Sequence, residues 1–270
     1  MARYVEAAAL YRRLIGARIR SQLQYRASFA LDLAGMFLVS FIDFIALLVL
    51  FHNVPSLGGW SVAEVSFLYA TSTLSFAFTD LVFGHVDEFP NLIRDGSFDL
   101  LLIRPLGTLF QVISMDFQLR RLGKALQAAM VLVYALTVVE IGWTPGKATM
   151  LLTMPVAGTL IFGAVWVLAI CIAFWSVEAK ETANAFIYGG GHLAQFPITV
   201  YDVWLRRFLA YVIPMAFVSY LPALYILDKP DLLGLPSWLR FASPVVALAA
   251  AACAGSMWRI AVRHYRSAGG

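Results

Sequence analysis

The sequence predicts an all-α integral membrane protein of six transmembrane helices. Three observations carry that prediction. The 270 residues are 61% hydrophobic and 13% charged, with a mean hydropathy of +0.78, whereas soluble domains run at about 45–50% apolar and about 25% charged. A soluble fold of this length has no core large enough to hide so much apolar surface, but a bilayer solvates it directly. The apolar residues also gather in runs of about 20, the length that crosses the hydrocarbon. Finally, Lys and Arg collect in alternate breaks between those runs, the bias that orients helices in a membrane.

Taken in order, residues 1–26 carry Arg3, Arg12, Arg13, Arg18, Arg20 and Arg26 against a single acid, Glu6. Ala7, Leu10, Leu14 and Ala17 recur at helical spacing. The segment reads as an N-terminal interfacial helix lying on the inner face, its arginines on anionic headgroups or an acidic partner. It does not read as a cleavable signal peptide, because the apolar run after it is too long for an h-region. The spans then fall at 27–51, 62–84, 120–141, 149–175, 183–201 and 241–260. Residues 149–175 contain no charge, and Ala247–Ala252 are nearly all small, which permits close helix approach. A polar segment, 85–106, joins the second and third spans, and 263–270 form a tail.

With the N-terminus inside, the inner side collects the six head arginines, Arg94, Arg104, Arg120, Arg121, Lys124, Lys180, Arg259, Arg263 and Arg266. The outer side receives Lys147, Lys229 and Arg240. The expectation is a multi-pass protein of the plasma (cytoplasmic) membrane with both termini cytoplasmic.

Catalytic chemistry is missing from the pattern. His52, His85, His192 and His264 are scattered, without metal-ligand spacing, and Cys171 and Cys253 sit in apolar runs. There is no G-x-S-x-G elbow and no phosphate-binding G-x-x-x-x-G-K-[ST] loop. Gly142–Lys147 has the wrong spacing, and Ala148 stands where a hydroxyl is needed. Gly189-Gly190-Gly191 reads as a hinge. We therefore expect no catalytic residue, no metal, no directly bound cofactor and no nucleic-acid partner. Membrane topology already accounts for the basicity.

Two regions resemble the type-2 permeases of ABC exporters. Residues 88–106, Glu-Phe-Pro-Asn-Leu-Ile-Arg-Asp-Gly-Ser-Phe-Asp-Leu-Leu-Leu-Ile-Arg-Pro-Leu, are similar to that family's I-x-x-G-x-[FL]-D-x-L-L-x-[RK]-P-[LI] element. Phe196-Pro197, Trp204-Leu205-Arg206 and Ile213-Pro214-Met215 resemble its signature before the last span. The resemblance implies an inner coupling helix after the second span and a re-entrant hairpin, 203–227, before the last. It also implies a division of labour: ATP and Mg on a separate ABC ATPase subunit, two copies of which are expected, and a second permease, identical or related, completing the path. Within the first element, Phe89, Leu92, Ile93 and Phe98 offer apolar knobs to such a motor. Arg94, Asp95, Asp99 and Arg104 would set register, Gly96 would end the helix, and Pro105 would start the return. The charge bias gives a rival topology for 183–227, with Arg206 and Arg207 inside and 207–227 as the fifth span. Pro214 and Pro222 suit a broken, protein-buried element better.

Three carboxylates, Asp32, Asp43 and Asp80, fall inside predicted spans, where acids are costly and functional by default. Asp32 and Asp43 lie about three helical turns apart, roughly 16 Å in depth, on one face. They read either as a polar, cation-attracting translocation path or as contacts to neighbouring helices and the partner permease. An ion- or proton-coupled secondary transporter is the alternative function. It predicts an inverted repeat, which the sequence does not display. A membrane-embedded enzyme would need a clustered catalytic set.

Overall fold

A computed structural model describes residues 16–176, 179–231 and 234–265. Among these residues the only extended pairing is a single bridge between Leu57 and Trp60; everything else regular is helical. The long helices are α1 (Arg26–Asn53), α2 (Val62–Phe83), α6 (Leu122–Val138), α7 (Pro145–Ile170) and α11 (Ser243–His264). Between α2 and α6 lie three short ones, α3 (Phe89–Arg94), α4 (Asp99–Leu102) and α5 (Thr108–Ser114). After α7 come α8 (Ala179–Leu193), α9 (Val203–Arg207) and α10 (Tyr220–Ile226).

Helix α7 is the hub, packing on α2, α8 and α11, while α2 also packs on α6, and α1 lies chiefly on α6. A reciprocal box starts α2: Ser61 Oγ accepts from the Glu64 amide, and the Glu64 carboxylate accepts from the Ser61 amide. The helix then buries Ser66, Thr71, Ser75 and Thr79, whose hydroxyls donate to the carbonyl one turn back. That bond satisfies each of these four hydroxyls within its own helix, whereas Ser72 Oγ, also buried on α2, has no hydrogen-bond partner among the described residues. Close approach is built in at two glycines. A Cβ on Gly158 of α7 would stand 2.5 Å from Ser75 Oγ, and one on Gly123 of α6 would stand 2.4 Å from the Leu33 carbonyl of α1.

Among the described residues five helices have the length and apolarity of membrane spans, or six if the bent pair 203–212 and 215–226 counts as one. Helix α8, with 15 residues, is shorter, yet 179–199 runs the full depth of the bundle. Lys180 Nζ meets Glu88 beyond one end of α2, and Thr199 Oγ1 donates to the Gly58 carbonyl before its other end. The stretch after Leu193 leaves the α-helix and covers the remaining distance in a more extended form. We call the Glu88 end the basic end and the Gly58 end the far end.

The bent pair 203–212 and 215–226 turns by 74°. Both of its ends are tied to the far end. Thr199 bonds the Gly58 carbonyl at 3.2 Å, and Lys229 Nζ donates to the Gly59 carbonyl at 2.7 Å. The bend at Ile213-Pro214 reaches in to line a cavity with Leu168 and Ile172 of the α7 region and Phe186 of α8. The two ends of the bent segment thus lie beside adjacent carbonyls, as a re-entrant hairpin requires. Arg206, on which the rival topology with 207–227 as a span relies, donates to the Tyr201 and Thr199 carbonyls near the far end. Lys147 to Asp228 and Lys229 to Glu64 then clamp the returning arm.

Of the N-terminal basic segment, Arg3, Arg12 and Arg13 lie outside the described residues, as does Arg266 at the other terminus. Residues 16–24 are helical. Arg18 pairs with Asp116 at 2.7 Å, and Gln22 bonds both the Phe117 carbonyl and the Leu119 amide. These bonds fasten the end of the head to the connection before α6.

Candidate functional site: the 85–106 segment and the adjoining charged cleft

Residues 85–106 form an angular projection at the basic end. Helix α3 stops because Gly96 adopts a left-handed φ of +70°, a conformation costly for any residue bearing a Cβ. The Phe98 amide then reaches back to the Leu92 carbonyl at 3.1 Å. That turn folds Phe98 under α3 rather than into solvent. Phe89 and Phe98 are wholly buried, so the expectation that they stand out as knobs is corrected. Their rings meet edge to face at 5.3 Å. Phe174 lies 5.3 Å from Phe89, Trp258 of α11 lies 4.9 Å from it, and Tyr265 lies 4.9 Å from Phe98. Such aromatic pairs add to simple area burial. The two phenylalanines bolt the projection to the basic ends of the α7 chain and α11.

Leu92 and Ile93 pack partly against this core. The apolar residues that do face outward are Ile103 at 81% exposure and Leu100 at 59%, with Leu102 beside them. Arg94, Asp95, Arg104 and Pro105 are exposed around them, and Arg94 reaches Asp95 only at 3.5 Å. Asp99 opens α4 and is half-buried. Gln111 of α5, itself buried, donates to both the Leu101 and Leu106 carbonyls at 2.9 Å and so braces α4 from behind. Periodicity had no means of marking Gln111, Phe174, Trp258 or Tyr265, since each acts through long-range contacts.

Glu88 joins the projection to α8. Both of its carboxylate oxygens accept from Lys180 Nζ at 3.0 Å, and Asn91 donates to it as well. The bond from Lys180 holds the Glu88 carboxyl below its ordinary value of 4.5, against a smaller opposing effect of partial burial. A depressed acid stabilises the fold above its unfolded value and loses that contribution as pH falls through the folded value. Wild type and Glu88→Gln should therefore differ modestly in thermal stability at neutral pH and converge below about pH 4. A constant gap across that range would count against the Glu88–Lys180 junction.

Above the projection, α1, α2 and α6 enclose a cleft of about 410 Å³ lined by Asp43, Asp80, Asp87, Glu88, Arg120, Arg121 and Lys124. Asp80 pairs with Arg121 at 3.3 Å. The same guanidinium donates to the carbonyls of Asp80 and Gly84, closing the end of α2. Asp87 accepts from the Tyr188 hydroxyl at 3.1 Å, and Arg120 donates to Gln118. Lys124 Nζ sits 4.2 Å above the Phe76 ring. No group of three His, Cys, Asp or Glu side chains is arranged for a metal ion among the described residues.

The family model described as ABC-2 family transporter protein matches residues 37–269. The chain belongs to the ABC-2 transporter family. No curated protein and no solved structure matches it. It is a multi-pass membrane permease, of a kind that generally works with ABC ATPase subunits and has no catalytic activity of its own.

In this ABC-2 permease the three predicted acids separate. Asp43 and Asp80 share the charged cleft, whereas Asp32 lines a neighbouring one of similar size with Ser21, Tyr25 and Asp116. Gln118 and Arg120 line both clefts and stand between them. Asp32 and Asp43, on one face of α1, thus line separate clefts with the connection before α6 between them. In the hairpin, Pro197 is buried, Phe196 half-buried and Trp204 exposed, while Pro214 forms the bend.

Proposed function

We propose that this ABC-2 permease forms half of the translocation path of an ATP-driven exporter. In this reading residues 85–106 receive the stroke of a separate ABC ATPase that carries ATP and Mg. The observation that carries the proposal is the two-sided build of the projection. One side exposes Leu100, Leu102 and Ile103 beside Arg94 and Arg104; the other is bolted through Phe89 and Phe98 to the α7 and α11 ends. An exposed apolar patch rimmed by charge is suited to a protein partner. A rigid attachment behind it passes a displacement to the spans rather than absorbing it. The basic end then faces the cytoplasm with both termini, and a second permease chain, identical or related, supplies the other half. Export itself is carried over from the family resemblance.

The test is a mild-detergent purification of the tagged chain from its native host, with co-purifying subunits identified and ATPase activity assayed. Wild type should bring down an ATP-hydrolysing subunit. The variant carrying Leu100→Asp and Ile103→Asp should insert and melt like wild type yet retain less than about a tenth of it, since truncating central interface anchors costs 2 kcal/mol or more. Recovery of wild type alone, in several detergents, would move the protein to the secondary-transporter class.

A further inference from the structure

Most charged groups of the cleft have a bonded partner, and His85, which also lines it, acts electrostatically on Glu88. Asp80 is paired with Arg121, Glu88 with Lys180, Asp87 with the Tyr188 hydroxyl, and Arg120 with Gln118. Asp43 and Lys124 both line the cleft, but neither forms an ion pair or hydrogen bond among the described residues. They face the same space from different helices, α1 and α6, without closing on one another. Asp43 lies about 15 Å along α1 from the Asn53 end, well inside the span. A carboxylate at that depth is costly unless something solvates or pairs with it. The Lys124 ammonium rests on the face of Phe76 and feels the charges of Asp80 and Asp43 without a bond to either, and a stronger anion displaces the cation–π contact.

The surroundings limit what can fill the space. Met36 and Val39 line the same cleft, and Val39 is exposed on the outer side of α1, so the cleft communicates with the lipid flank of that helix. A ligand that satisfies both groups needs an anionic and a cationic centre in one head. To use the lateral opening it needs an alkyl tail that stays beside α1. An ammonium would replace the missing partner of Asp43, a phosphate would draw Lys124 off the ring, and the tail would never leave the lipid.

We propose that the cleft between α1, α2 and α6 binds the head group of a zwitterionic amphiphile, with Asp43 taking its cationic centre and Lys124 its phosphate. This rests on the permease reading above, because it assigns the cleft as the point where cargo is held. Other groups then have positioning roles. Arg121 keeps Asp80 from competing for the ammonium, and Tyr188 does the same for Asp87.

The experiment titrates the purified full chain, in uncharged maltoside micelles, with dodecylphosphocholine, dodecyltrimethylammonium and dodecyl phosphate, read by calorimetry. Dodecylphosphocholine should bind at least about tenfold tighter than either singly charged probe, the scale of one charge-assisted contact. Asp43→Asn and Lys124→Gln should each weaken it about tenfold and leave the other single-charge probe unaffected, while Lys124→Arg restores it. Equal affinity for all three probes, or unchanged binding in both variants, overturns the proposal. Asp43→Asn that weakens self-association while leaving the titration intact also overturns it, by making Asp43 an inter-subunit contact. ATPase capture is measured on the same preparations. Failed capture with head-group binding intact rejects the permease reading alone, whereas intact capture without head-group binding rejects only this site.

Discussion

Phe98→Ala is expected to destabilise the folded permease by about 3–5 kcal/mol, the range for emptying a buried aromatic site. Phe98 is wholly buried and contacts Phe89, Phe174 and Tyr265 through ring faces and edges. Its removal leaves a hole that those rings cannot all close, because Phe174 and Tyr265 sit on different helical chains. Thermal unfolding in detergent should show a large drop, together with easier proteolysis of 94–104. Phe98→Leu should recover part of the loss by refilling volume without the edge-to-face geometry. The contrast with Ile103 is the informative part. Ile103, at 81% exposure, should tolerate substitution in the unfolding assay and fail only in ATPase capture. Should Phe98→Ala instead melt like wild type while losing the ATPase, Phe98 would be a docking residue and not a packing one.

Arg121→Ala should be comparably severe, at about 3–5 kcal/mol, the usual cost of stranding one member of a poorly exposed ion pair. Arg121 and Asp80 side chains are 12% and 18% exposed. The guanidinium also satisfies two carbonyls at the end of α2, so three acceptors lose their donor at once. Arg121→Lys should rescue little, since an ammonium lacks the planar fork that serves a carboxylate and two carbonyls together. Adding Asp80→Asn to Arg121→Ala should recover part of the stability by removing the stranded charge. A double-mutant cycle measures this directly, and a coupling energy near zero would show that the two side chains act independently. Gly84 belongs to the same clamp: a Cβ there would stand 1.1 Å from Arg121 Nη1. Gly84→Ala should therefore mimic a milder Arg121 variant.

Much of this architecture was legible along the chain. Apolar content and run length set the membrane class and the long helices, because burial in lipid depends on composition summed over a segment and hardly on neighbours. The turn at Gly96 is likewise local, decided by backbone freedom. The short α8 was harder, since part of that traverse is not helical and carries no periodic signal.

Tertiary structure alone decided the rest, and the reason is the same in each case. Phe98 reads as an exposed knob until the Gly96 turn folds it against Trp258 and Tyr265, residues more than a hundred positions away. Arg206 reads as a mark of the inner side until it is seen capping carbonyls that a broken helix left free. Asp32 and Asp43 share a face of α1, yet Gln118 and Arg120 from a distant connection part them into two clefts. That Asp43 and Lys124 form no ion pair or hydrogen bond emerges only once the bonds of Asp80, Glu88 and Asp87 around them are placed. Composition and local geometry determine which segments enter the membrane. Which side chains remain free to do something there depends on pairings that no local pattern records.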